Sequence, residues 1–93
     1  MDTVRVVVAD DNVQLRDMIV EYLQAQNGIE IVGAASDGVE ALRLVTEFEP
    51  DVLVCDLIMP QMDGYGVLER LQAMKLAKQP GVIALTPWGR DDF

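Results

Sequence analysis

The 93 residues of this chain, 51% of them hydrophobic, are enough for one domain with a single modest core. Its 16 acidic and 7 basic residues give a net charge of −9, which disfavours direct binding to the phosphate backbone of nucleic acids. The sequence contains no histidine, which excludes histidine-dependent triads and most zinc sites and leaves carboxylates as the candidate reactive groups.

The first two predicted units each consist of a strand followed by a helix. Val4 to Ala9 is a run rich in β-branched residues, and apolar residues then recur at helical spacing until Asn27-Gly28. Ile29 to Ala35 is a second apolar run, after which Ser36-Asp37-Gly38 opens a helical segment that Glu49-Pro50 ends. The residues expected along the apolar faces of these helices are Leu15, Met18, Ile19, Tyr22 and Leu23 in the first, and Ala41, Leu42, Val45 and Phe48 in the second.

A third unit and a final strand complete the pattern. Val52 to Cys55 predicts a strand, Asp56 to Gly64 a loop, and Val82 to Leu85 a fourth strand. The third helix is expected to carry its apolar face on Val67, Leu68, Leu71 and Met74. Apolar strands without alternation are buried on both faces, and strands separated by helices imply right-handed crossovers. The sequence therefore predicts an open α/β fold with a parallel sheet and helices on both sides.

Acidic residues follow the ends of two of these strands. Asp10 and Asp11 follow the first strand, and Asp56 follows the third. Open α/β sheets bind ligands at the carboxyl ends of their strands, so these carboxylates are expected to share one pocket. Carboxylates in contact repel each other by a few kcal/mol at an effective dielectric of about 20, and a divalent cation relieves that repulsion.

The chemistry that such a pocket favours is Mg²⁺-dependent formation of an aspartyl phosphate. Mg²⁺ takes one or two carboxylates, several waters and phosphate oxygens as its ligands. Asp56 is the candidate nucleophile, and Asp10 and Asp11 are candidate metal ligands. Thr86 ends the fourth strand, and its hydroxyl either binds a phosphoryl oxygen or belongs to an ordinary β-branched strand residue.

Each acid also has a purely structural interpretation, because acids at strand ends often cap the next helix or satisfy turn amides. That interpretation is favoured for Asp37 and Asp63. For Asp10-Asp11 taken alone it is as good as the metal-site interpretation. The combination with the segment from Asp56 to Gly64 shifts the balance toward a metal site.

Apolar and basic side chains near the pocket are expected to be structural. Cys55 lies inside the apolar run before Asp56, which indicates a small buried hydrophobe rather than a redox thiol. Gly64 and Gly66 are expected to relieve crowding at the start of the third helix. The side chains expected only to pack or to be solvated are Met59, Met62, Lys75 and Lys78.

No segment suggests a membrane or secreted location. The apolar runs are far shorter than the roughly 18 residues that cross a bilayer, and Met1 to Arg5 carries no secretory signal. The sequence therefore predicts no membrane association and a cytoplasmic location.

Three segments together resemble the receiver domain of bacterial two-component response regulators: Asp10-Asp11-Asn12, Asp56 to Gly64, and Leu85-Thr86. The resemblance implies a flavodoxin-like (receiver) fold, a doubly wound parallel sheet in which the strands present here have the order 2-1-3-4. It also implies that a phosphohistidine donor, either a histidine kinase or a histidine phosphotransferase, phosphorylates Asp56.

The same resemblance implies a metal site. The ion would be Mg²⁺, or another divalent cation such as Ca²⁺ or Mn²⁺, held by Asp11, Asp56 and the backbone carbonyl of Ile58, with Asp10 assisting through water.

Three further segments are similar in particular to receivers of sporulation regulators from endospore-forming bacteria. They are Val8 to Asn12, Pro50 to Val54, and Val67 to Leu71. This narrower similarity implies a phosphorelay that regulates transcription through a DNA-binding effector domain.

Relative to the family, residues 1–93 are expected to be a receiver domain truncated at its C-terminus. The last helix, strand and helix of the family's pattern would then be missing. The effector domain would be missing too, as would a lysine that contacts the phosphoryl group in the family. The activity expected of such a truncated domain is at most self-phosphorylation with Mg²⁺ and slow autodephosphorylation. Pro87 also stands where relatives usually carry a small residue whose backbone N–H helps to hold the phosphoryl group, and proline lacks that N–H. Proline also favours an extended conformation of Thr86, which suits a strand end, so its two effects oppose each other.

The leading hypothesis is therefore a signalling receiver that accepts phosphate on Asp56. The alternative is a fragment deficient in phosphotransfer that acts only as an interaction module. Val82 to Leu85 would form an exposed edge in that fragment, which favours a homodimer or a domain-swapped oligomer. A metal-dependent phosphohydrolase is disfavoured, because such enzymes usually carry a second acid where Ile58 stands.

Overall fold

Strands and helices alternate along the chain in the computed structural model, which describes residues 3–59 and 61–85. Thr86 and Pro87 lie outside the described residues. The strands are β1 (Val4–Ala9), β2 (Ile29–Ala35), β3 (Val52–Asp56) and β4 (Gly81–Leu85), and the helices are α1 (Val13–Gln24), α2 (Gly38–Phe48) and α3 (Gly64–Ala73). Each predicted element is present, and the predicted strand bounds agree to within one residue.

The four strands form one parallel sheet in the order β2-β1-β3-β4, which confirms the predicted flavodoxin-like topology. The chain moves outward from β1 to β2 and then crosses back to place β3 on the other side of β1. The crevice at the carboxyl ends of β1 and β3 is therefore the point where the strand order reverses, and this is where open α/β sheets bind ligands.

Helices cover both faces of the sheet, as the sequence predicts. The helices α2 and α3 pack on one face around Leu53, Val45 and Val67, which are fully or almost fully buried. On the other face, α1 covers Val6 and Val8 with its partly buried apolar side chains. The two central strands, β1 and β3, consequently carry most of the buried strand residues.

The prediction that every strand is buried on both faces was wrong for β2 and β4. These strands lie at the two edges of the described sheet, and most of their residues are half-buried or exposed. An edge strand has a neighbour on one side only, so its side chains lose much of the cover that β1 and β3 receive.

The predicted apolar face of α1 is only partly confirmed. Met18 and Tyr22 are 63% and 68% exposed, and no residue of α1 is buried. The main contacts of α1 are with β2 and β1, and of the predicted face only Leu15, Ile19 and Leu23 are partly covered. In α2 the buried Leu44, which the predicted face omits, packs in the core beside Val45.

Side chains fix the ends of the helices. Asn12, Asp37 and Asp63 are the N-caps of α1, α2 and α3, and each accepts a hydrogen bond from a backbone N–H in the first turn. The expected capping role of Asp37 and Asp63 is thereby confirmed. Glu49 ends α2 in the left-handed conformation, just before Pro50.

A polar network ties the amino ends of β1 and β3 together. The carboxylate of Asp51 accepts hydrogen bonds from the backbone N–H of Arg5 (2.8 Å) and from Lys78, and the guanidinium of Arg5 donates to the Phe48 carbonyl at 2.7 Å. Lys78 is therefore an ion-pair partner rather than a purely solvated lysine. Like Lys75, it lies in the connection between α3 and β4, and Lys75 is exposed.

Within residues 3–59 and 61–85, no helix is long and apolar enough to cross a membrane.

Candidate metal centre

The acidic residues singled out in the sequence converge at one point of the fold. Asp10 follows Ala9 at the end of β1, and Asp56 follows Cys55 at the end of β3. Ala9 and Cys55 are direct neighbours in the register of the sheet. One carboxylate oxygen each from Asp10, Asp11 and Asp56 lie within 4.8 Å of one another. The three carboxylates therefore lie together in the fold, at the carboxyl ends of β1 and β3.

The three carboxylates differ in their environment. Asp10 is only 1% exposed, Asp56 is half-buried and Asp11 is exposed. The Oδ1 atom of Asp10 accepts a hydrogen bond from the backbone N–H of Asn12 at 2.9 Å. Its Oδ2 atom is buried and has no hydrogen-bond partner among the described residues. A buried, unpartnered acceptor beside two other acids is the environment expected of a group that faces a cation.

Electrostatics at the site oppose the charged form of Asp10. Burial raises the pKa of the Asp10 carboxyl above its ordinary value, the hydrogen bond from Asn12 lowers it in part, and the neighbouring Asp56 and Asp11 raise it further. Two carboxylate oxygens no more than 4.8 Å apart repel by on the order of 3 kcal/mol at an effective dielectric of about 20. The oxygen-only donor set fits a hard divalent cation, and such an ion would remove this repulsion.

The loop after Asp56 is held by its own backbone. Ile58 donates its backbone N–H to Oδ1 of Asp56 at 3.1 Å, and this bond orients the carboxylate. Leu57 donates to the carbonyl of Leu85 at 3.0 Å and accepts from Gly64 at 3.1 Å, so the loop is bonded to the end of β4 and to the start of α3. Thr86 comes directly after Leu85 in the chain, but it lies outside the described residues.

Two glycines allow the start of α3 to approach this loop closely. A Cβ atom at Gly64 would lie 2.5 Å from the Asp56 carbonyl oxygen and 2.8 Å from the Cα of Leu57. At Gly66 it would lie 2.7 Å from Cγ of Met62. The expectation that Gly64 and Gly66 relieve crowding is therefore confirmed.

The side chains assigned to packing behave as expected. Met59 is buried in the core under α2 and α3, and Met62 packs against the same core. Cys55 is buried, and its thiol pKa is raised to about 11. Burial is the main cause of this increase, and the charges of Asp56 and Asp10 contribute less. The thiol therefore stays protonated at neutral pH and is a poor nucleophile.

Sequence reasoning missed one residue that touches this loop. Gly38, the first residue of α2, is buried against the backbone of Met62. The only local signal is a glycine directly after the Asp37 cap, which is equally typical of an ordinary helix start.

Fold and site together define an open parallel α/β protein with a carboxylate centre at its switch point. A family model of the response regulator receiver domain matches residues 6–93. The chain therefore belongs to the response regulator receiver family.

Solved structures of receiver domains resemble the whole described fold. The signal receiver domain of a response regulator named NarL from Mycobacterium tuberculosis has a TM-score of 0.88 and 33% sequence identity, and the match covers 99% of this chain and 73% of that one. The response regulator domain of Thermotoga maritima CheB has a TM-score of 0.82 and 30% identity over 96% of this chain and 64% of that one. A DNA-binding response regulator of the LuxR family from Staphylococcus aureus has a TM-score of 0.84 and 28% identity over 96% of this chain and 72% of that one. These relatives do not support the narrower similarity to sporulation regulators.

Proposed function

We propose that this chain is the phosphoacceptor module of a bacterial two-component or phosphorelay system, in which Asp56 accepts a phosphoryl group from a phosphohistidine. The strongest support is the convergence of Asp10, Asp11 and Asp56, with one oxygen from each inside a 4.8 Å span. Residues 1–93 contain no histidine, and the donor imidazole is proposed to belong to a histidine kinase or a histidine phosphotransferase.

The proposed metal ligands are Asp11, Asp56 and the backbone carbonyl of Ile58, with Asp10 assisting through water. The donor atoms are all oxygens, which suits Mg²⁺ and also suits Ca²⁺ or Mn²⁺. When bound, such an ion neutralises charge on the phosphoryl oxygens. The unpartnered Oδ2 atom of Asp10 supports this assignment.

In the proposed transfer, the Asp56 carboxylate is the nucleophile. The hydrogen bond from the Ile58 N–H to Oδ1 orients the carboxylate, and the other oxygen attacks the phosphorus atom. The P–N bond breaks, and its electron pair stays on the imidazole nitrogen, which takes up a proton from solvent. Attack of water on the phosphorus atom later releases inorganic phosphate and restores the carboxylate. The Thr86 hydroxyl is proposed to bind a phosphoryl oxygen during these steps.

The output of the signal is proposed to lie in a separate DNA-binding effector domain in the cytoplasm. The neighbour from Staphylococcus aureus is described as a DNA-binding response regulator, which supports this kind of output. The net charge of −9 disfavours DNA binding by the receiver itself.

Phosphorylation by a small phosphoryl donor tests the proposal directly. Wild-type protein incubated with a phosphoramidate and Mg²⁺ is expected to gain the mass of one phosphoryl group, measured on the intact protein. Addition of a chelator is expected to suppress the gain, because the charge on the phosphoryl oxygens is then not neutralised. No added mass with Mg²⁺ present would reject the proposal.

A second candidate function, an interaction module, is favoured by the edge strand β4. Gly81 donates its N–H to Asp51, and Leu85 accepts from Leu57, so the odd-numbered residues of β4 bond toward β3. The backbone groups of Val82 and Ala84 therefore point away from β3. The strand has no charged residue, and the side chain of Ile83 is 55% exposed, so this edge lacks the charges that usually prevent edge pairing.

Light scattering across a concentration series tests self-association through β4. The wild-type mass is expected to rise above that of a monomer, and Ile83→Lys is expected to lower it. Val39→Lys is the matched control, because Val39 on α2 is 54% exposed and the variant adds the same charge. A monomeric wild type at all concentrations, or equal effects of the two variants, would rule out this edge as the contact.

A further inference from the structure

The amino end of α2 rests directly on the backbone of the loop that follows Asp56. Gly38 is buried there, and a Cβ atom at this position would collide with the carbonyl oxygen of Met62 and lie 2.7 Å from its carbonyl carbon. Real Cβ atoms almost never approach a backbone atom this closely, so any larger residue at position 38 must displace either α2 or the loop.

We expect the loop, rather than α2, to be displaced. The helix α2 is anchored by Ala41 and Val45, which are buried in the core, and by the Asp37 cap, which accepts from the N–H of Glu40 at 2.8 Å. In the loop, Ile58 is 61% exposed, and Gln61 adopts a positive φ of 69°, a conformation that costs a non-glycine residue energy. Displacement of the loop is therefore easier than displacement of the helix.

Movement of the loop reaches the reactive carboxylate through two short connections. Met62 is followed by Asp63 and Gly64, and Gly64 lies against the Asp56 carbonyl and donates its N–H to Leu57. On the other side of the loop, the Ile58 N–H orients the Asp56 carboxylate through a 3.1 Å hydrogen bond. A shift of Met62 therefore strains the backbone at Asp56 and also the hydrogen bond from Ile58 that orients the Asp56 carboxylate.

We infer that Gly38 is a positioning residue for phosphoryl transfer. By leaving room for the Met62 carbonyl, it lets α2 hold the loop in the shape that presents Asp56 and the Ile58 carbonyl to their ligands. The inference rests on the proposed function of Asp56, but the loop geometry itself does not depend on metal or phosphate.

The variant Gly38→Ala tests this role, with Gly33→Ala as the matched control. Gly33 lies on β2, and a Cβ atom there would lie 3.1 Å from Cδ1 of Leu44, the flexible end of a side chain on α2. The control therefore crowds α2 without touching the loop. Gly38→Ala is expected to move the amide NMR signals of residues 57–59 and 61–63 in metal-free protein. It is also expected to slow Mg²⁺-dependent phosphorylation by a small donor at least about tenfold, because small misplacements of a reacting group cost one to two orders of magnitude in rate. Gly33→Ala is expected to leave both measurements near wild type.

A second pair of variants loosens the contact between α2 and the loop instead of crowding it. This pair tests the same role if Gly38→Ala does not fold. Asp37→Ala removes the cap of the first turn of α2, whereas Asp37→Asn retains a capping oxygen. Amide hydrogen exchange of Ile58 and Gly64 is expected to speed up in Asp37→Ala and to stay at the wild-type rate in Asp37→Asn.

The outcomes separate this inference from the proposed function. Unchanged loop signals in Gly38→Ala, or equal loss of rate in Gly38→Ala and Gly33→Ala, would overturn the positioning role while the function of Asp56 stands. A wild type that takes up no phosphoryl group would reject the function, and the metal-free loop signals would still decide the role of Gly38.

Discussion

Replacement of Asp56 by asparagine is expected to abolish phosphorylation and to leave the fold intact. An amide oxygen is far too weak a nucleophile to attack phosphorus, so the mass gain expected for wild type should be completely absent. The asparagine side chain retains an oxygen at the position of Oδ1, so it can still accept the hydrogen bond from the Ile58 N–H. Loss of one negative charge from a mutually repelling cluster also removes a destabilising interaction, so the variant should be at least as stable as wild type.

Asp63→Asn is the matched control for this variant. It makes the same change of charge and side chain in the same loop, but Asp63 caps α3 by accepting from the Gly66 N–H at 2.9 Å, and asparagine caps a helix equally well. This control is expected to take up phosphate as wild type does. Equal phosphorylation of Asp56→Asn and wild type would show that a different side chain is the acceptor.

The parts of the fold that the sequence predicted are those encoded by local pattern. Residues 6–9 of β1 and 52–55 of β3 are continuous apolar runs because both faces of these strands are covered, and each run is followed by an acid. The convergence of Asp10 and Asp56 followed from the rule that parallel strands present their carboxyl ends at one edge of the sheet. The caps at Asp37 and Asp63 were likewise visible as acids directly before glycine and an apolar periodicity.

The parts that the sequence did not predict depend on contacts between distant segments. Met18 and Tyr22 fit a helical period, but they are exposed. The period shows which residues share one side of α1, but it does not show how much of the sheet the helix covers. Gly38 looks like an ordinary first helical residue, and its partner, the Met62 carbonyl, is a backbone atom that leaves no trace in the sequence pattern. The extreme burial of Asp10 compared with the exposed Asp11 is also invisible in a pair of identical neighbouring residues.

That difference between the two neighbours makes Asp10 a residue whose charge is expected to cost stability in the metal-free protein and is proposed to support metal binding. Its carboxylate is desolvated, repelled by Asp56 and Asp11, and unpartnered at Oδ2 among the described residues. A folded protein that carries such a group at neutral pH sacrifices stability unless a cation compensates the charge. The same group should therefore have opposite effects on metal-free stability and on metal affinity.

Asp10→Asn is expected to stabilise the metal-free protein by about 1 to 2 kcal/mol at neutral pH, because it removes a buried, uncompensated charge. The introduced amide retains an oxygen for the Asn12 N–H and gains an N–H group that can donate to the Asp56 carboxylate. The affinity for Mg²⁺ is expected to fall by about 10- to 100-fold, the usual effect of losing a residue that supports a metal through water. Urea unfolding without metal and calorimetric Mg²⁺ titration measure the two effects.

The pH dependence provides an independent check on the cause of the stabilisation. The pKa of Asp10 in the folded state is raised above 3.8, so in the window above 3.8 the folded protein holds this proton more tightly than the unfolded chain does. The Asp10 contribution to the free energy of unfolding is therefore fully present below that window and is lost as the pH rises through the folded pKa. The advantage of Asp10→Asn should accordingly be small in acid and grow toward neutral pH. Asp11→Asn removes the same charge from an exposed position and should gain less than about 0.5 kcal/mol. A gain for Asp10→Asn that is independent of pH, or no larger than that of Asp11→Asn, would show that burial of the Asp10 charge is not its source.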